Sequence, residues 1–172
     1  MFATIYLPNF YLQAALRHQP ELRAKPVALI DDQEKKAVII QLNAVAEKTG
    51  VRCGMTPSQG LARCLQLEVR MRLLSREKIV QGILLELAGT LAPYLEATAG
   101  GIATVQFTET KNLEQKVTRV VEQLADAEIF SQAGIAPTPD ASFLAAHLAR
   151  PVLQIDDASE FLAALPIETL AI

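Results

Sequence analysis

The sequence contains few cysteine and histidine side chains, the types that bind transition metals and act as strong nucleophiles or bases. They are two cysteines, Cys53 and Cys64, and two histidines, His18 and His147. The cysteines lack the short spacing of a metal site, and the histidines lie far from them in the chain. We therefore expect reduced thiols, no metal site and no cofactor, as in a cytoplasmic protein.

Charged side chains are distributed unevenly along the chain. Residues 1–78 carry 12 Lys and Arg against 7 acids, and residues 79–172 carry 4 against 12, which gives net charges of +5 and -8. A basic lobe favours phosphate contacts, although the same pattern also fits a solvated surface. The total of -3 is not that of an autonomous DNA binder, so any DNA affinity is expected to be weak.

The elements that would position these side chains alternate between short apolar runs and amphipathic helices, which predicts an α/β or α+β fold. Strands are predicted at 3–7, 26–30, 37–41 and 104–108, with a further strand region at 127–136. Helices are predicted at 43–49, 57–65, 76–91, 111–126, 139–149 and 159–165. The helix at 76–91 has an apolar stripe of Ile79, Ile83, Leu84, Leu87 and Leu91. The next helix has a stripe of Leu113, Val117, Val120, Val121 and Leu124.

Targeting signals and membrane spans are not expected. The N-terminal stretch MFATIYLPNF has no basic region before it and no small-residue cleavage site after it. No run of about 18 apolar residues could cross a bilayer. The first apolar stretch is better interpreted as a buried strand of a cytoplasmic protein.

Four stretches, in order along the chain, carry a resemblance to a known family. They are IYLPNFYLQAALRHQPELRAKPVALI, LNAVAEKTGVRCGM, APYLEATAGGIATVQFT and GIAPTPDASFLAAHLARP. Together they resemble the palm-and-fingers framework of the Y-family (UmuC/DinB-like) translesion DNA polymerases. Matching internal spacing over nearly the whole chain makes the combination specific, whereas each piece alone is weak.

The resemblance implies an α/β (α+β) fold with two parts. Residues 1–8 and 74–166 would form a palm-like domain, whose mixed β-sheet is backed by the helices at 76–91 and 111–126. Residues 9–73 would form a small fingers-like lobe. The thumb and little finger of the family are expected to be absent, since the chain ends where the palm would pass into the thumb.

Catalysis in the family requires carboxylates that hold two Mg²⁺ ions about 4 Å apart. The resemblance places the two positions of the first-strand Asp-x-Asp pair on Tyr6 and Pro8. The adjacent Asp-Glu pair falls on Gly101 and Ile102. None of these residues carries a carboxylate, so we expect no metal binding there and a protein that is not an enzyme.

The positions that would contact the triphosphate are also altered. The Tyr and Arg of the family's fingers fall on Ala44 and Glu47, and the family's palm Lys falls on Pro139. Tyr11 occupies the position of the aromatic steric gate. Packing of Tyr11 between the first helix and the sheet is the alternative interpretation.

This pattern of losses is similar to that of the ImuB-like subgroup. The resemblance then implies a non-catalytic adapter in DNA repair and mutagenic translesion synthesis. Its implied partners are a replicative-type polymerase, a RecA-like protein and the sliding clamp, with weak, non-specific DNA contact. The candidate DNA-binding cations are Arg17, Lys48, Arg52, Arg63, Arg70, Arg72 and Arg76.

Two alternatives remain open. One is a nucleotidyltransferase that uses relocated acids, for instance Asp31 and Asp32 with Glu96 or Glu109. The other is a protein-interaction domain that has kept the fold but has left DNA repair. Binding of Mg²⁺ would distinguish the first from the adapter hypothesis.

Overall fold

The computed structural model describes residues 1–31, 37–109 and 111–170. Seven α-helices and eight strands lie within these ranges. In chain order they are β1 (Phe2–Tyr6), α1 (Phe10–Leu16), β2 (Val27–Ile30), β3 (Ile39–Leu42), α2 (Ala44–Lys48), α3 (Pro57–Arg63), β4 (Glu68–Met71), α4 (Leu74–Gly89), β5 (Tyr94–Ala99), β6 (Ile102–Gln106), α5 (Leu113–Asp126), β7 (Gln132–Ala136), α6 (Pro139–Leu148), β8 (Val152–Gln154) and α7 (Ala158–Ala164).

The chain divides into two compact units. The larger unit comprises Met1–Pro8 and Val80–Ile172, and the smaller unit comprises Asn9–Ile79, so the division falls within α4. Each unit has its own sheet.

The larger unit contains a five-stranded mixed sheet in the order β5-β6-β1-β7-β8. β1 pairs antiparallel with both β6 and β7, whereas β7 and β8 are parallel. Tyr6, the last residue of β1, lies opposite Ile102 on one side and Gln132 on the other. The predicted mixed sheet is confirmed, and β1 and β6 in it correspond to the strands predicted at 3–7 and 104–108.

Helix α6 packs closely on β1 and β7. A Cβ atom added at Gly134 would overlap the backbone of Ala146 and Ser142, so glycine is what allows this approach. The Ser142 hydroxyl donates to Pro139 O at 2.7 Å, and the Thr4 hydroxyl lies 2.8 Å from Ser142 Oγ. These buried hydroxyl contacts tie the helix to the strand beneath it.

Helix α5 packs on β7 and β8 with the predicted apolar stripe. All five of its stripe residues are buried. The stripe predicted for α4 is only partly correct, because Ile79 is exposed and the buried apolar residues are Val80, Leu84 and Ala88. These three positions recur every fourth residue, which is about one helical turn.

The smaller unit contains a three-stranded sheet in the order β3-β2-β4. β2 pairs antiparallel with β3 and parallel with β4. One core cluster lies between α1 and β2 and includes Leu12, Ala15, Leu16, Leu22, Val27 and Leu29. A second includes Ala28, Ile39, Ala46, Val51 and Leu67.

Side-chain caps begin two short helices of the smaller unit, α2 and α3. The Asn43 side chain accepts from Ala46 N at 2.9 Å and from Val27 N at 3.1 Å, and donates to Lys25 O at 2.7 Å. Thr56 and Gln59 form a reciprocal capping box, with a proline at the first turn of α3. The helix predicted at 57–65 therefore begins with a cap followed by a proline.

No helix in the described part of the chain is both long and apolar enough to cross a membrane.

Candidate functional site

The positions that the resemblance assigns to metal ligands come together at one end of the larger sheet. Tyr6 pairs with Ile102 across β1 and β6. Leu7 N donates to Gly101 O at 2.8 Å, and Gly101 N donates to the Gln81 side chain at 2.7 Å. Gly101 has a φ of 76°, which favours glycine at this tight turn. The four positions predicted from the resemblance are therefore neighbours in the fold.

The residues at these positions do not fit a pair of magnesium ions. Mg²⁺ is held by carboxylate oxygens, whereas Tyr6, Pro8, Gly101 and Ile102 offer a phenol, a ring, a hydrogen and an alkyl chain. These four side chains therefore cannot supply the ligands of a metal-dependent step.

An aromatic stack lies at the same end of the sheet instead. The ring of Tyr6 stacks on His147, with centroids 3.9 Å apart and an interplanar angle of 25°. Phe143 also packs on His147, with centroids 4.4 Å apart. Burial raises the pKa of the Tyr6 hydroxyl. Sequence reasoning missed this stack because His147 was considered only as a metal ligand and Phe143 carries no recognisable motif.

The triphosphate positions lie in both units. Ala44 and Glu47 are on α2 of the smaller unit, and Glu47 is exposed, so its carboxylate would repel a phosphate. Pro139 is the first residue of α6 in the larger unit. Tyr11 is on α1 and packs against the core cluster that contains Leu12.

Tyr11 is covered by a cation. The guanidinium of Arg72 lies 4.0 Å from the centre of the Tyr11 ring. Two of its nitrogens bind Glu77 at 2.7 and 2.8 Å, and the third binds Asp31 at 2.8 Å. Hydrogen bonding to Glu77, and then to Asp31, raises the pKa of Arg72 above its ordinary value despite partial burial.

All seven candidate DNA-binding cations lie in the smaller unit. Arg72 is bonded to acids, and Arg76 donates to Ala15 O at 2.7 Å, near the end of α1. Arg17 is half-buried. The exposed members are Lys48, Arg52, Arg63 and Arg70, of which Arg70 pairs with Glu68 at 3.2 Å and Arg52 donates to the Glu47 and Val51 carbonyls.

The relocated acids do not form a described metal site. Asp31 is paired with Arg72, and Asp32 lies outside the described residues. Glu96 is exposed on β5, and Glu109 is exposed after β6. Within residues 1–31, 37–109 and 111–170, no group of three or more His, Cys, Asp or Glu could hold a metal ion.

Solved structures define the class of fold. "Post-insertion binary complex of Dbh DNA polymerase" matches with a TM-score of 0.87 at 17% identity, over 98% of this chain and 52% of that one. "Crystal Structure of DinB from Sulfolobus solfataricus" matches with a TM-score of 0.85 at 17% identity, over 98% and 52%. The fold is that of the Y-family DNA polymerases, as the sequence predicted.

The family follows from the sequence comparison. The model of the "IMS: impB/mucB/samB family" matches residues 5–147, and the chain belongs to this family of Y-family polymerase domains. DNA polymerase IV of Legionella pneumophila (strain Corby) is 26% identical over 94% of this chain and 48% of its own length. DNA polymerase IV of Pectobacterium atrosepticum is 25% identical with the same coverage. The chain spans about half the length of these curated relatives.

These relatives correct one expectation. The prediction that the protein is not an enzyme is contradicted, because its relatives carry the name of an enzyme, DNA polymerase IV. The expectation rested on the altered metal-ligand and triphosphate positions, and substitutions at those positions do not establish that a protein is inactive.

Proposed function

We propose that this chain is the palm-and-fingers part of a DNA-contacting protein that works in translesion synthesis during DNA repair. The family match over residues 5–147 is the observation that carries the proposal. Residues 1–8 and 74–166 would be the palm-like domain, and residues 9–73 the fingers-like lobe. The cytoplasmic location belongs to the same proposal.

DNA contact is supported by the charge of the smaller unit. Exposed cations suit phosphate contacts, which position DNA without reading its sequence. Lys48, Arg52 and Arg63 are the favoured residues, because all three are exposed and none is paired with an acid in the described part of the chain. Arg70 is paired with Glu68, and Arg72 and Arg76 are half-buried. The Arg52 guanidinium also donates to the Glu47 and Val51 carbonyls. Arg17 is a secondary candidate.

Anisotropy titration of a labelled primer-template at two salt concentrations tests this contact. We expect dissociation constants at or above the non-specific range of about 10⁻⁴ to 10⁻⁶ M, with a steep decrease in affinity as salt rises. The Lys48→Gln, Arg52→Gln, Arg63→Gln triple variant should bind more weakly, and its salt slope should fall by about one for each phosphate that is no longer neutralised. An Arg70→Gln variant is the control. Equal binding by the triple variant and the wild type would reject the assignment.

The adapter role is the finer part of the proposal. The protein would join a replicative-type polymerase and a RecA-like protein to the sliding clamp, as the ImuB-like resemblance implies. A pull-down with the full-length gene product and these three proteins tests it. If none of the three proteins is retained, the adapter role is rejected, and the proposed DNA contact is unaffected.

Nucleotidyl transfer is the second candidate, favoured by the name DNA polymerase IV of the relatives. Its carboxylates would come from outside the four positions. Glu96 and Glu109 are the exposed acids to test, although residues 1–31, 37–109 and 111–170 contain no group of three or more His, Cys, Asp or Glu that could hold a metal ion. Primer extension by the full-length gene product with Mg²⁺, and with Glu96→Gln and Glu109→Gln variants, measures this directly.

A further inference from the structure

Three half-buried aromatic rings pack against one another at the end of β1 in the larger unit. Tyr6 stacks on His147, and Phe143 packs against His147. The chain contains only 6 Phe and 3 Tyr and no Trp, so two of its nine Phe, Tyr and Trp residues lie in this one stack with His147. Each ring keeps some surface accessible to solvent.

The stack is held in place by a local hydrogen bond. His147 Nδ1 lies 2.9 Å from Phe143 O, so Nδ1 carries the hydrogen and donates to this carbonyl. The bond fixes the imidazole plane against Tyr6. A ring surface that is already ordered loses little conformational entropy when a ligand stacks on it.

The three former metal-ligand positions beside Tyr6 carry no acid that would repel a polyanion. These positions are Pro8, Gly101 and Ile102. Residues 79–172 have four Lys and Arg, three of which lie between 111 and 119. The fourth, Arg150, follows His147 by three residues. It is exposed, and one guanidinium nitrogen donates to the neighbouring Ala149 O at 2.6 Å.

Aromatic rings beside a cation are the usual arrangement for binding single-stranded nucleic acid, because every base has a face that can stack. We propose that Tyr6, Phe143 and His147 form a stacking site for unpaired bases of single-stranded DNA, with Arg150 at the adjacent phosphate. This inference rests on the proposed DNA contact and adds a second binding surface, on the larger unit.

Fluorine NMR can observe the stack directly because the chain has only three tyrosines. Tyr6 is in the stack, Tyr11 is under Arg72, and Tyr94 is exposed on β5. The whole chain is labelled with 3-fluorotyrosine, and each resonance is assigned with a Tyr→Phe variant. Titration with single-stranded oligothymidylate should shift the Tyr6 resonance and leave the Tyr94 resonance unchanged. A Tyr6 resonance that stays unchanged at saturation overturns the proposal.

Variants measure the contribution of the rings to affinity. Tyr6→Leu and Phe143→Leu should each weaken oligothymidylate binding about five-fold or more, the lower end of the effect for one stacked base. Tyr6→Phe keeps the ring and should retain binding. Tyr94→Leu is the matched control, and unchanged Tyr11 and Tyr94 resonances show that a variant is folded. The stacking site is rejected if Tyr6→Leu and Phe143→Leu both lose no more affinity than Tyr94→Leu does.

The same titration separates this inference from the proposed function. Salt-dependent binding with no effect of the ring variants rejects the stacking site and leaves the cation contact. Binding that depends on the rings but not on Lys48, Arg52 and Arg63 supports the stacking site and rejects the cation contact. Absence of binding at low salt rejects both.

Discussion

The guanidinium of Arg72 lies 4.0 Å from the centre of the Tyr11 ring and is held there by two carboxylates. Glu77 is in the first turn of α4, and Asp31 directly follows β2. One side chain therefore links α1, the end of β2 and the start of α4 within the smaller unit. The carboxylate of Glu77 is almost fully buried in this network, with only 9% of its side chain exposed.

Replacing Arg72 should destabilise the protein strongly. Arg72→Met leaves Glu77 buried without its cation, and breaking a buried pair in this way costs about 3 kcal/mol of unfolding free energy. Arg70→Met removes an exposed pair with Glu68 and should cost about 0.5 kcal/mol or less. Urea denaturation of both variants measures the difference. Equal costs would mean that the Arg72 network adds little to stability.

The spacing of apolar residues predicted an element correctly where that element buries one face only. Helix α5 has a polar outer face, and its five inward residues were predicted correctly. Strands β4, β5 and β8 were not predicted as such. Most residues of β5 are exposed, and β8 has only three residues, so neither gives an alternating pattern.

The close approach of α6 to the larger sheet depends on one glycine. Gly134→Ala should cost about 3 kcal/mol or more, because the new Cβ would overlap the backbone near Ala146, which cannot move as a side chain can. Gly82→Ala is the matched control, since its Cβ would meet nothing within 4 Å in α4. That variant should gain up to about 1 kcal/mol from helix propensity. Thermal denaturation of both proteins, with opposite shifts in Tm expected, checks the pair.

The candidate site could be located from the sequence, but the contacts among its side chains could not. The resemblance to the family placed Tyr6 and Ile102 at metal-ligand positions, and the pairing of β1 with β6 brings these two residues together. The stack of Tyr6 on His147 joins residues distant in sequence and depends on where α6 lies. Likewise, Arg72 was predicted as a DNA-binding cation, whereas its bonds to Glu77 and Asp31 are tertiary contacts without a sequence signature.

Asn43 should contribute more than an ordinary helix cap. Its side chain caps α2 and also bonds to the backbone of Val27 and Lys25, so Asn43→Ala should cost about 2 kcal/mol. Asn43→Asp keeps both acceptor bonds and should cost less. Thr138→Ala, which removes a single cap bond from α6, should cost about 1 kcal/mol. A cost of Asn43→Ala no larger than that of Thr138→Ala would show that the bonds to β2 and Lys25 add nothing.

Cys53 should react more slowly with alkylating reagents than an ordinary thiol. Local burial, and then the nearby carboxylate of Glu47, raise the pKa of Cys53, partly offset by a bond from its own backbone N–H. The thiol also donates to Ile40 O at 3.4 Å, which favours the protonated form. Since the thiolate is the nucleophile, a raised pKa leaves less of it at any pH below that pKa.

The rate of iodoacetamide alkylation, measured against pH in a Cys64→Ser background, should rise with a midpoint above the usual value of about 8.5. Glu47→Gln should lower the midpoint and increase the rate near pH 8, while Glu21→Gln, which changes another acid of the smaller unit, should leave both unchanged. The raised pKa also makes the free energy of unfolding depend on pH. A thiol whose pKa is higher in the folded state contributes stability below its unfolded pKa, and this stability is lost as pH rises through the folded pKa. A midpoint at or below the ordinary value, or one that Glu47→Gln does not move, would contradict this account of the Cys53 environment.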